Sequence, residues 1–241
     1  KKPRTGKKKP MVKLIQSVIN KNSEDKYAYR SVTDINYNSG IQQQTDVASL
    51  IPSIGIGSGD ASRIGTQIHG KSFIIQGHMI TNLTNNSYSD VRIGVRMLIV
   101  TPKGYASYTP AYNSAATWLA FLLKKGATTT SFSGLVSDLY SPVNTDAITC
   151  HYDRVFYMNV PYVPGTVNGA LPLTRTTKFF KIRLPVNRTF KYDSAVDSGL
   201  LPTNYTPFLV LGYSHLDSAT PDTVQTQVNL SWVSQFRYQD F

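Results

Sequence analysis

The sequence predicts an all-β fold, a single antiparallel sandwich or barrel of about eight strands. Three observations predict it. Several segments alternate apolar and polar residues with period two, the period of a half-buried strand. Those segments are rich in Val, Ile, Phe and Tyr and are divided by clusters of Pro, Gly, Asn and Ser. No segment carries a long helical period. The chain has 241 residues and is 41% hydrophobic, enough for one real core. It shows no internal repeat and no linker.

The elements follow in order. Tyr27 to Tyr37 alternates weakly and reads as an edge strand. Ser39 to Ser62 reads as loop and ends in the turn Gly57-Ser58-Gly59-Asp60. From Gly70 to Leu83, Phe73, Ile75, Met79 and Leu83 share one face and Gln76, His78 and Asn82 the other. Asn82 to Ser89 reads as a hairpin loop. Asp90 to Val100 is the clearest strand: Val91, Ile93, Val95, Met97 and Ile99 face one way, Arg92 and Arg96 the other. Pro102 to Thr130 is a long excursion, with a short helix expected over Ala115 to Lys125 and stopped by Gly126. A long excursion between strands is often a contact surface.

Phe132 to Tyr140 fits a helical turn or a short strand equally. Ile148 to Val160 places Tyr152, Phe156, Met158 and Val160 on one side. Pro161 to Thr174 is a Pro/Gly loop. Thr177 to Leu184 turns Phe180, Ile182 and Leu184 inward and Lys181 and Arg183 outward, and Arg188 to Tyr192 follows after Pro185. Pro207 to Tyr213 is apolar throughout, as a central strand would be. Val224 to Tyr238 alternates Val228, Leu230, Trp232, Phe236 and Tyr238 with polar residues.

Charge is concentrated rather than spread. The net charge is +11. Lys1, Lys2, Arg4, Lys7, Lys8, Lys9 and Lys13 put seven cations into the first 13 residues, with no acid among them. The remaining 18 Lys and Arg face 14 Asp and Glu, leaving +4 for the rest. Such an arm repels itself, does not fold alone and attracts polyanions. Neutralising phosphates releases counterions, so its binding should be salt-sensitive and independent of sequence. The stretch Lys1 to Pro10 also resembles a nuclear import signal. Charged residues make up only 16% of the chain, and uncharged polar residues replace them, which suits a protein that buries much of its surface against copies of itself.

One stretch gives a contrary signal. Gly65 to Ser72 reads G-x-x-x-x-G-K-S, the phosphate-loop pattern of nucleotide hydrolases. That loop needs a buried strand before it and a helix after it, whose N-terminal amides hold the phosphates. Ile54 to Ile64 is turn-like, and the residues after Ser72 alternate as a strand does. The expectation is a chance match and no enzymatic activity.

Other chemistry is not nominated. His69, His78, His151 and His215 lack metal-ligand spacing, so no metal is expected. Cys150 is the one cysteine, so no internal disulfide forms; it and His151 are strand neighbours with side chains on opposite faces, so they form no dyad. There is no G-x-S-x-G elbow, and no catalytic residue or cofactor is expected. No apolar run is long enough for a membrane span.

Three motifs carry a family resemblance across nearly the whole chain. The first is R-x-G-x-x-I-x-x-K-S, at Arg63, Gly65, Ile68, Lys71 and Ser72. The second is H-Y-D-R-V-F at His151 to Phe156, followed by F-F-K-I at Phe179 to Ile182. The third is the closing W-V-S-Q-F-R-Y-Q-D-F, Trp232 to Phe241. In this order behind a basic arm, the chain resembles the capsid proteins of small circular single-stranded DNA viruses, the circovirus-like group. The first motif is also similar to coat proteins of satellite necrosis viruses. The arm here is shorter and richer in Lys than in many such relatives.

The resemblance implies an eight-stranded antiparallel jelly roll over residues 27–241 and a disordered basic arm over residues 1–26. It implies sixty copies in a T = 1 icosahedral shell and a packaged single-stranded genome, DNA rather than RNA. It further implies a host receptor, and host import factors that carry the protein to the nucleus for assembly into virions; no membrane is involved. The arm residues and Lys181, Arg183 and Arg188 are the expected nucleic-acid contacts. Tyr27, Tyr29 and Tyr37 are candidates for base stacking, with packing in the core or at an interface as the plainer role. The competing reading is a cellular jelly-roll binding module for a carbohydrate or protein ligand, for which the arm would be unnecessary.

Overall fold

The structure, a computed structural model, describes residues 25–37, 39–81, 91–160, 177–216 and 228–240. The arm cations, the hairpin loop after Thr81 and the Pro/Gly loop after Val160 lie outside the described residues. The described chain is an all-β sandwich. Its strands are β1 (Asp25–Tyr37), β2 (Val47–Ser49), β3 (Gln67–Thr81), β4 (Val91–Pro102), β5 (Leu123–Lys125), β6 (Thr128–Thr130), β7 (Ile148–Val160), β8 (Thr177–Lys191), β9 (Phe208–His215) and β10 (Val228–Asp240).

Two four-stranded antiparallel sheets form, in the orders β1-β10-β3-β8 and β2-β9-β4-β7. The pairing is nested: β1 with β10, β2 with β9, β3 with β8 and β4 with β7. A chain folded back on itself along its whole length and then rolled up gives this pattern.

The alternation read from the sequence is what brings the sheets together. Phe73, Ile75 and Met79 of β3 and Leu230, Trp232 and Phe236 of β10 enter one core with Ile93, Val95, Met97 and Ile99 of β4. Phe73 stacks on Phe236 with ring centroids 4.5 Å apart. Each such side chain contributes about 1.5–3 kcal/mol by leaving water.

The centre of the second sheet, β9 and most of β4, is buried on both faces. Its outer face is covered by the connection from β4 to β7. That connection carries two short helices, α1 (Tyr108–Asn113) and α2 (Ala115–Leu119), the β5–β6 hairpin and a 3-10 turn at Val136–Leu139. Trp118 and Leu119 pack there against Leu98, Val100, Phe208 and Val210. Trp118 donates its indole N–H to the Ala111 carbonyl at 2.8 Å. The double cover explains why every residue of β9 is buried.

Four expectations need correction. The stretch Ser39 to Ser62 is not all loop, since β2 lies within it and pairs with β9. The helix expected over Ala115 to Lys125 stops at Leu119; Gly126, at φ 65°, turns the β5–β6 hairpin instead of capping a helix. The segments either side of Pro185 are one strand, β8. Pro185 is tolerated because β8 is an edge strand, where a missing N–H need not cost a ladder bond. Finally, β1 begins at Asp25, inside the stretch expected to be arm, and Lys26 is already buried, donating to Asp240 at 3.2 Å and to the Ser62 carbonyl at 3.1 Å.

Candidate nucleic-acid interface

The first sheet leaves its outer face bare among the described residues. Across it the registers align side chains in rows. Tyr29, Gln235, Ile74 and Arg183 form one row, and Ser31, Val233, Gln76 and Lys181 the next. A third row holds Ser231, His78 and Phe179. Arg237 lies opposite Tyr27 on one side and Ser72 on the other, and its guanidinium pairs with Asp25. Lys181 and Arg183 are exposed on one edge strand, about 7 Å apart along it.

Aromatic rings stand among these cations. Phe179 is 80% exposed, Tyr29 61% and Tyr27 40%. The Phe179 ring lies 5.9 Å from the His78 ring. Gln235 donates to the Tyr29 hydroxyl at 2.7 Å and holds that ring in place on the face. Exposed rings interleaved with Lys and Arg can stack on bases while the cations meet phosphates. Tyr37, by contrast, is fully buried in the core, and burial drives its hydroxyl pKa far up.

The expected contacts therefore separate. Lys181 and Arg183 share the bare face. Arg188 pairs in register with Gly70, whose position points inward, and its guanidinium sits over the Tyr205 ring at 4.6 Å. It belongs to a different part of the molecule. Phe179, His78 and Arg237 are the residues that reading the sequence missed. Their signal was present: each falls on the outward parity of a long alternating strand.

The phosphate-loop pattern is accounted for without a nucleotide. Lys71 and Ser72 lie inside β3, with no helix following. Lys71 has no Cα partner on β10 or β8, so it is the extra residue of a β-bulge. Gly70 is required because a Cβ there would lie 2.2 Å from Phe190 and 2.7 Å from Phe236. The Arg63 of the same motif is only 2% exposed. It donates to the carbonyls of Ile54, Gly65 and Gly199, and ties three loop segments together.

The second motif is also structural. Arg96 is 3% exposed, and its guanidinium forms a two-pronged pair with Asp153, at 2.9 and 2.6 Å. It also donates to the Asp138 and Ser141 carbonyls at 2.5 and 2.7 Å. The outward face expected of Arg96 is thus covered by the β4–β7 connection. Cys150 packs against the cluster under that connection, and its thiol pKa is raised by burial. His151 points away from it, toward Thr101 at 2.9 Å.

Among the described residues, no group of three or more His, Cys, Asp and Glu is placed to hold a metal ion. No helix among them is long and apolar enough to cross a membrane.

No family model matches the chain, and no curated protein does. Among solved structures, a crystal structure of an Israel acute paralysis virus pentamer aligns with 100% of this chain and 77% of its own, at 10% sequence identity. The TM-score is 0.29, too low to establish a shared fold.

Proposed function

We propose that this chain is a viral capsid protein, a jelly-roll subunit that assembles with itself into a small T = 1 icosahedral shell. Its basic N-terminal arm packages a single-stranded genome, DNA rather than RNA. The nested pairing of eight strands in two sheets supports a jelly-roll reading, an architecture used by capsid and lectin domains. One observation carries the reading beyond that. In the sequence the cationic stretch 1–13 precedes β1, an edge strand of the sheet whose outer face is bare among the described residues and carries Lys181, Arg183 and Arg237. On this reading the arm is a tether for phosphates and the cationic, ring-bearing face is a second contact with the same genome. A carbohydrate-binding module gives no reason for this coincidence. The low charge content and the uncharged polar surface fit contacts with other subunits, and host import factors and a receptor complete the expected partners.

The test is the nucleic acid that co-purifies with the protein. Deleting residues 1–13 should lower the 260/280 nm absorbance ratio to that of bare protein in 0.15 M salt. Lys181→Gln with Arg183→Gln should lower it in part. An unchanged ratio in the arm deletion would overturn the packaging role, and digestion of the bound polymer with DNase against RNase decides its type.

A further inference from the structure

Where the edges of the two sheets meet, a cleft of about 480 Å³ opens between β4, β7, β8 and the loop leading to β9. It is lined by Thr101, Thr149, His151, Asn187, Arg188 and Tyr205, with no Asp or Glu in the lining. Thr101 and Thr149 face each other across the β4–β7 register. His151 Nε2 lies 2.9 Å from the Thr101 hydroxyl and 3.4 Å from the Tyr205 hydroxyl. Asn187, at φ 42°, sits in the irregular stretch of β8 opposite Lys71, and its side-chain oxygen lies 2.9 Å from His69 Nε2. Asn tolerates that backbone region, which lets the strand turn Arg188 into the cleft.

Arg188 is held by the Tyr205 ring, and no carboxylate pairs with it among the described residues. Burial first, and the Arg188 charge second, hold the His151 pKa below its usual value. A guanidinium, an imidazole and two threonines thus line one cleft with no carboxylate between them among the described residues. This is an incomplete electrostatic arrangement that an oxyanion completes. Arg offers a flat fork of donors for a phosphate, and the hydroxyls and imidazole N–H supply donors for its remaining oxygens. The cleft volume exceeds what a bare phosphate fills and lies in the range of small-molecule sites.

We propose that this cleft is a binding site for a phosphate monoester of nucleotide size. Arg188 holds the phosphate, and Thr101, Thr149 and His151 orient it. The proposal does not rest on the capsid reading: the cleft is separate from the bare face, and Arg188 is not part of that face.

The experiment is calorimetric titration of the full chain with inorganic phosphate and with deoxyadenosine monophosphate, in 0.3 M salt to suppress binding by the arm. One saturable site per chain is expected, with the nucleotide binding more tightly than phosphate. The Arg188 side chain is exposed, and Arg188→Gln should weaken both at least about tenfold with an unchanged melting temperature at about pH 7.5, above the range in which His151 titrates. The pair Lys181→Gln and Arg183→Gln should leave both affinities unchanged. No saturable binding at millimolar ligand, or equal affinity in Arg188→Gln and the unaltered chain, would overturn the site. Equal affinity for phosphate and nucleotide would overturn the monoester assignment. A loss of phosphate binding in the Lys181/Arg183 pair would place the anion on the bare face and also overturn it.

Discussion

The guanidinium of Arg63 lies 4.4 Å above the ring of Tyr192, and both groups are buried. Arg63 precedes β3, and Tyr192 follows β8, so the contact closes the end of the first sheet where those strands pair. Tyr192 donates its backbone N–H to Thr66 at 2.8 Å beside it. Three carbonyls and one ring face accept this cation, and each acceptor would be stranded without it. Arg63→Ala should therefore cost at least about 2 kcal/mol of stability. Arg63→Lys should recover only part, because an ammonium does not offer a planar fork to three separate acceptors. Denaturant titration checks both.

The G-x-x-x-x-G-K-S stretch gives a pair of opposed expectations. Gly70→Ala should cost about 1–3 kcal/mol or more, because the added methyl collides with Phe190 and Phe236. Lys71→Ala should leave the unfolding free energy within about 0.5 kcal/mol of the parent, since Lys71 is a half-buried bulge residue with no ion pair among the described residues. Titration of either protein with ATP and magnesium should show no change that follows Lys71. Affinity lost with Lys71 would restore the nucleotide reading.

Much of this was legible in the sequence, and the failures have physical causes. β4 and β10 were readable because each alternates over more than ten residues with one face in the core. β2 was not, because three buried residues carry no period. Arg96 looked outward-facing, and it is; parity along a strand does not say that a later excursion will cover that face. Breaking β8 at Pro185 hid a parity argument that was available. In one continuous strand, Arg183 and Arg188 are an odd number of residues apart and fall on opposite faces. The cleft needed tertiary structure, since its residues come from three strands and a loop.

Asp46 is a buried carboxylate whose oxygen accepts the backbone N–H groups of Gln42 and Gln43, both at 2.7 Å. Burial raises its pKa, and the two N–H groups pull it back only in part. A folded pKa above the unfolded one means that stability falls as pH rises from about 4 through the raised value. Asp46→Asn keeps an acceptor and removes the charge. It should be more stable than the parent at pH 7 and equal to it near pH 3. Asp46→Ala should be less stable by about 1–3 kcal/mol, since two amides lose their acceptor. Melting curves across pH distinguish these.

His151 shows the opposite sign. Its pKa is lowered by burial and by Arg188 on β8, while Thr101 on β4 and the Tyr205 hydroxyl are its uncharged neighbours. Its neutral form contributes stability above about pH 6.5 that is lost as pH falls toward the depressed folded value. His151→Asn should flatten stability below about pH 6.5, and Arg188→Gln should reduce the slope without abolishing it.

The central claim is closed self-assembly around a phosphate-binding tether, and the mass of the assembled particle tests it most directly. Sixty copies of a 26.7 kDa chain give about 1.6 MDa of protein. Sedimentation or native mass measurement of the purified full chain, with negative-stain images of the same sample, should return a single closed species of that protein mass. A monomer or a small oligomer that persists from low to high salt, with no shells in the images, would contradict the account.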